Sequence, residues 1–165
     1  MRAITLCGIG PVPGELIAEL SRFLHATLQM ECAIDRVVLD PAPARDRERG
    51  QMNARELLPR LEARATELGT LVLGVTEEDL FSPIFTFVFG EARLGGQAAL
   101  FSLCRLRPEH YGLLADEKLL GARARREALH ETGHLLGLNH CKSPDCAMRF
   151  SGAAEEIDLK SDRFC

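Results

Sequence analysis

Residues 130 to 140 read His-Glu-Thr-Gly-His-Leu-Leu-Gly-Leu-Asn-His, and no other stretch narrows the possible folds of this chain as tightly. The string satisfies every fixed position of HExxHxxGxxH. Two histidines four residues apart lie on one face of a helix, so their ring nitrogens can converge on a single zinc ion at about 2.0–2.1 Å. His140 cannot join them if the helix continues, because it would sit roughly 15 Å beyond His130 along the axis. The chain must therefore turn back after Leu136, and Gly137 permits this because glycine adopts the left-handed conformation without a side-chain penalty.

Three neutral imidazoles leave one coordination position for water, whose pKa zinc lowers from ~15.7 to about 7. Glu131 follows a ligand directly and projects beside it, where its carboxylate can take the water proton and return it to a leaving amine. HExxH alone occurs by chance in unrelated proteins. The further fixed positions, on a predicted helix that ends where the geometry requires, make coincidence a poor account of His130, His134, His140 and Glu131. No tyrosine follows His140 and no oxyanion donor stands out.

A helix of this kind needs a domain to hold it, and 165 residues suffice for one. With 46% hydrophobic and 27% charged residues the chain reads as globular. A net charge of -4 gives no footprint for nucleic acid, and no apolar run is long enough to span a membrane. The apolar start is soon broken by Gly8, Gly10, Pro11 and Pro13, so it reads as a strand and not as an export signal. The expected compartment is a reducing cytoplasm, where six cysteines are buried thiols or metal ligands and not a disulfide framework.

Hydrophobic periodicity supplies the rest. Arg2 to Cys7 predicts a strand, and Leu16, Ile17, Leu20, Phe23, Leu24 and Leu28 a helix. Cys32 to Leu39 predicts a second strand and Pro41 to Gly50 a polar loop. Leu57, Leu58, Leu61, Ala65 and Leu68 mark a second helix that starts late or kinks at Pro59. Leu71 to Val75 is a third strand, and Ile84 to Phe89 and Ala98 to Leu106 are two more, one free to add as an antiparallel edge. The third helix is expected from an N-cap at Asp116 through Leu136. Strands separated by helices predict an α/β fold around a mostly parallel sheet.

The longer run HExxHxxGxxHCxxxxCxM, from His130 to Met148, resembles the archaemetzincins, a branch of the metzincin zinc peptidases. The resemblance implies a single domain with a twisted, mostly parallel sheet, an antiparallel edge strand and three main helices. An active-site cleft would lie above the third helix, with an upper subdomain 1–137 and a small lower subdomain 138–165. It makes His130, His134 and His140 the ligands of a catalytic zinc, Glu131 the general base, and Met148 an apolar floor beneath the metal. Cys141, Cys146 and Cys165 match three of the four cysteines that hold a second, structural zinc in the family. Read by itself, Met148 is better taken as a core methionine, and the three thiols can be read as ordinary reduced cysteines. A tail from Leu138 to Cys165 is too short for a core of its own, however, which suits a metal clip. Cys7, Cys32 and Cys104 fall in predicted strands and read as buried thiols.

In metzincins an antiparallel edge strand above the cleft pairs with an extended peptide substrate, and Ile84 to Phe89 is the expected counterpart. Phe85, Phe87 and Phe89 alternate along it and would face the core. The resemblance also carries aminopeptidase specificity for some relatives; Glu77, Glu78, Asp79 and Glu91 are candidate partners for a substrate amine, or solvated loop charges. The expected function is zinc-dependent peptide-bond hydrolysis. The competing reading is a non-catalytic zinc-binding regulatory or interaction module of the same fold, which would have no need of Glu131; a hydrolase acting on a non-peptide amide is a third.

Overall fold

Leu6, Leu73 and Phe101 face one way and Cys7, Val72 and Leu100 the other, and all six are buried. A strand covered on both faces reads as an unbroken apolar run, which is why these segments lack polar alternation. The computed structural model describes residues 3–165; Arg2, the expected first strand residue, lies outside them. In chain order the strands are β1 (Ile4–Ile9), β2 (Cys32–Ile34), β3 (Arg45–Asp46), β4 (Gln51–Asn53), β5 (Leu71–Thr76), β6 (Leu80–Ser82), β7 (Phe85–Val88), β8 (Gly90–Ala92) and β9 (Ala98–Ser102). The helices are α1 (Gly14–Leu28), α2 (Ala54–Leu68), α3 (Glu117–Leu135) and α4 (Ala154–Leu159).

The main sheet has the order β2-β1-β5-β9-β8, parallel except for β8, which runs antiparallel to β9 at the edge. One face is covered by Leu20 and Leu24 of α1 and Leu120, Ala124 and Ala128 of α3, the other by Leu57, Leu58 and Leu61 of α2. The closeness of α2 is set by Gly74, where a Cβ would come within 2.8 Å of both Ile9 Cδ1 and Leu61 Cδ1. The α/β class, the antiparallel edge and the three main helices are those expected. No helix among the described residues is long and apolar enough to cross a membrane.

Several local expectations are corrected. The strand from Cys32 ends at Ile34 and not Leu39, because the Asp35 carboxylate accepts the Val37 N–H at 3.0 Å and turns the chain; Leu39 returns only as an isolated bridge to Ile9. The strand from Ala98 ends at Ser102, whose hydroxyl oxygen accepts the Cys104 N–H, and Cys104–Leu106 is a 3-10 turn. Cys104 is thus not a strand residue. The Pro41 to Gly50 loop contains β3. Helix α2 does not start late: Asn53 caps it by accepting the Arg55 N–H at 3.1 Å, and Pro59 is carried inside it. Within Ile84 to Phe89, β7 pairs with β6 in a separate small sheet of order β3-β4-β6-β7, so the edge strand of the main sheet is β8 instead. Phe89 is buried, but Phe85 is exposed and Phe87 half-buried.

Candidate active site

Asp116 caps α3 by accepting the Leu119 N–H at 2.9 Å, and the helix passes beneath the β8 edge before it ends. Residues Glu127 to Gly133 of α3 are all buried, ionisable ones included, which sets this end apart from an ordinary amphipathic helix. Gly137 has a φ of 90°, and the Leu138 N–H closes back on the Gly133 carbonyl at 2.9 Å. The reversal returns His140 to the other two histidines, with ring centroids 4.7, 4.9 and 5.2 Å apart.

The hydrogen bonds fix the tautomers. His130 Nδ1 lies 2.8 Å from the Ala147 carbonyl and His134 Nδ1 2.8 Å from the Leu138 carbonyl. A carbonyl only accepts, so each Nδ1 carries the proton and each Nε2 presents a lone pair. Those two Nε2 atoms face each other at 3.2 Å. In two neutral rings this leaves lone pair against lone pair, and a cation between them resolves it. One donor atom from each of His130, His134 and His140 lies within 4.8 Å of the others. Burial, reinforced by the charge of Lys160, pushes His130 down to about 3, and burial also lowers His140. Both are held in the neutral form that ligates zinc. The residues fit a zinc ion.

Glu131 is 4% exposed, and its Oε2 has no hydrogen-bond partner among the described residues. Burial drives its carboxyl well above the usual range, nearby Glu127 and Glu91 add to the rise, and Lys160 opposes it. Strand β8 rests directly on this side chain: a Cβ on Gly90 would stand 2.7 Å from Glu131 Cδ. In front of Glu131 and the histidines lies a cleft of about 550 Å³, with Phe85, Phe87, Val88, Leu94 and Phe150 among its apolar walls. Phe150 meets the His140 ring edge-on at 5.5 Å.

Met148 is buried against Gly133, where a Cβ would collide with its Sδ, so the residue between the paired histidines must be small for the methionine to lie under the helix. Cys141, Cys146 and Cys165 are gathered with their sulfurs within 4.8 Å, the Cys141 and Cys165 Sγ atoms 3.8 Å apart. All six cysteines are free thiols. The cluster offers three sulfurs to a second ion. Cys7 is buried and Cys32 and Cys104 half-buried; burial raises all three thiols, Cys7 to about 11, which makes them unreactive.

The four candidate acids separate. Glu77 is paired with Arg107, Glu78 with Arg45 and Asp79, through both its oxygens, with Nε and Nη2 of Arg105, and none of the three lines the cleft. Glu91 of β8 does line it. Arg55 Nε approaches its Oε1 at 3.2 Å, while Oε2 is buried without a partner among the described residues. Two residues that sequence reasoning missed also line the cleft. Lys160, 1% exposed, places Nζ 3.2 Å from Glu127 Oε1, one turn before Glu131 on α3. Glu127 bore a signal, a carboxylate four residues before the base on the same helical face; Lys160 bore none.

The sequence profile of Peptidase family M54 matches residues 44–165. The archaemetzincin of Methanocaldococcus jannaschii is 41% identical over 157 residues, covering 95% of this chain and 85% of its own. That of Pyrococcus furiosus is 40% identical over 98% of this chain and 88% of its own. A zinc-dependent peptidase from Methanocorpusculum labreanum superposes with a TM-score of 0.88 at 32% identity, over 99% of this chain and 96% of that one. The archaemetzincin of Archaeoglobus fulgidus, solved with malonate, gives 0.84 at 32% identity, over 100% and 96%.

Proposed function

Since the chain belongs to peptidase family M54, the archaemetzincins, and is by that membership a zinc metallopeptidase, we propose that it cleaves peptide bonds with His130, His134 and His140 holding the catalytic zinc and Glu131 as general base and acid. The observation that carries this is the pair of unprotonated Nε2 atoms facing each other beside a buried carboxylate with a free oxygen. Bound zinc supplies a Lewis acid that polarises the scissile carbonyl and acidifies water. The protein does the rest. Ala147 and Leu138 orient the rings, the apolar walls exclude bulk solvent, and Glu131 takes a proton from water and passes it to the departing amine.

The substrate is an extended peptide pairing with the free edge of β8, and the cleft's phenylalanines suit bulky apolar side chains. Glu91 Oε2 is the acceptor for the α-amine of an aminopeptidase substrate. Cys141, Cys146 and Cys165 would hold the structural zinc, clipping the two ends of the lower subdomain 138–165 to each other. Free thiols suit a reducing cytoplasm, and the acidic balance suits partners other than nucleic acid.

The test is a mixed peptide library incubated with zinc-replete wild type and Glu131→Ala. Turnover by the wild type alone, with equal zinc in both, supports hydrolysis. Equal product from both proteins marks a contaminant, and no turnover from either favours the non-catalytic module.

A further inference from the structure

Lys160 is the least expected side chain near the metal site. Its ammonium is withdrawn from water and held by one ion pair and two hydrogen bonds. It approaches Glu127 Oε1 at 3.2 Å and donates to the Arg149 carbonyl at 3.0 Å and the Ala147 carbonyl at 3.3 Å. Two backbone carbonyls accept its hydrogen bonds, and the Glu127 carboxylate supplies the opposite charge. Burying a lysine for stability alone is a poor bargain, because an apolar side chain of similar volume serves as well or better. The placement of the three partners points elsewhere. Ala147 and Arg149 flank Met148, and the Ala147 carbonyl is the acceptor that fixes the His130 Nδ1 proton. Glu127 lies on α3 one turn before His130. Lys160 thus ties the helix that carries two histidines to the turn that orients one of them.

We propose that Lys160 is a positioning residue for the metal site, holding the Ala147 carbonyl where it sets the tautomer and ring angle of His130. The inference rests on the reading that His130 binds zinc. Partners that orient a metal-bound histidine typically contribute ~10–100-fold in metal affinity, and that is the effect expected here.

The test titrates metal-free full-length protein with cobalt(II) and with zinc against a chelator. Absorption separates the two sites, because only cysteine ligation gives a sulfur-to-cobalt charge-transfer band. Lys160→Met leaves Glu127 buried without its cation and could fail to fold, so the decisive variant is E127Q/K160M, which removes both charges. Its metal-free thermal midpoint is expected at or above that of wild type. Its cobalt and zinc affinity at the non-sulfur site should fall ~10–100-fold, with the charge-transfer band unchanged. Affinity equal to wild type would show that Lys160 merely neutralises Glu127 and overturns the proposal. A parallel loss at both sites would show general loosening and overturns it as well. Wild type that takes no metal outside the sulfur site overturns this inference and the functional reading together.

Discussion

Replacing Gly90 by alanine adds one methyl group at the point where β8 meets the Glu131 side chain. The new Cβ would stand 2.7 Å from Glu131 Cδ and 2.7 Å from the Leu100 carbonyl oxygen, short of ordinary contact by about 0.8 Å on each. Leu100 cannot retreat, because β9 is paired on both sides by β5 and β8. Glu131 therefore yields, and its carboxylate moves by about 1 Å. A misplacement of that size costs roughly 100-fold in rate, equivalent to about 2.7 kcal/mol of barrier, while overpacking costs about 1–3 kcal/mol of stability. The assay compares kcat on a peptide the wild type cleaves, with zinc content measured on the same samples. The expected result is full zinc occupancy and kcat lowered about 100-fold. Gly121→Ala, on α3 with Glu131, is the control: its Cβ finds nothing nearer than 3.5 Å, so turnover should hold and stability rise by about 1 kcal/mol. A Gly90→Ala enzyme within twofold of wild type would refute the reasoning, and so would one whose turnover falls in step with lost zinc.

Two more predictions address substrate and stability. Glu91→Gln should raise KM about tenfold for peptides with a free N-terminus, for the loss of about 1.4 kcal/mol of charge-assisted hydrogen bonding, and leave N-acetylated peptides unaffected; an equal effect on both would remove Glu91 as the amine acceptor. Asp35 joins the end of β2 to α2, accepting from Arg64 Nε at 2.6 Å and Nη2 at 2.9 Å. Arg64 holds its carboxyl below the ordinary range, so the pair's contribution is complete above the unfolded-chain value of about 3.9 and disappears as pH falls through the lower folded-state value. Asp35→Asn should cost about 2 kcal/mol at pH 7. In urea unfolding that gap should shrink under acid; a gap constant from pH 7 to pH 2 would contradict it.

What the sequence made legible follows from how far each signal reaches along the chain. The histidine spacing, the Asp116 cap and the Gly137 reversal are set within a few residues, and each was readable. The main-sheet strands were readable because burial on both faces leaves a plain apolar run. The apolar Val37, Val38 and Leu39 predict a longer second strand than forms, because its stop is a single carboxylate accepting a backbone N–H two residues on. The alternation of Ile84 to Phe89 looks the same in either sheet, and only tertiary pairing places β7 on β6 and leaves β8 as the edge beside the cleft. Gly90 is one glycine among 14, distinguished only by the carboxylate that fills the place of its side chain. Lys160 was invisible because what buries it comes from α3 and the Met148 turn, segments distant in sequence that only the folded chain brings together.

Anomalous diffraction at the zinc edge, from crystals of zinc-replete full-length protein, tests the histidine centre most directly. The expected map has a peak about 2.0–2.1 Å from one nitrogen of each of His130, His134 and His140, with a fourth position open toward Glu131 and the cleft. A map with no peak among these three rings, or with zinc on the cysteines alone, would contradict it.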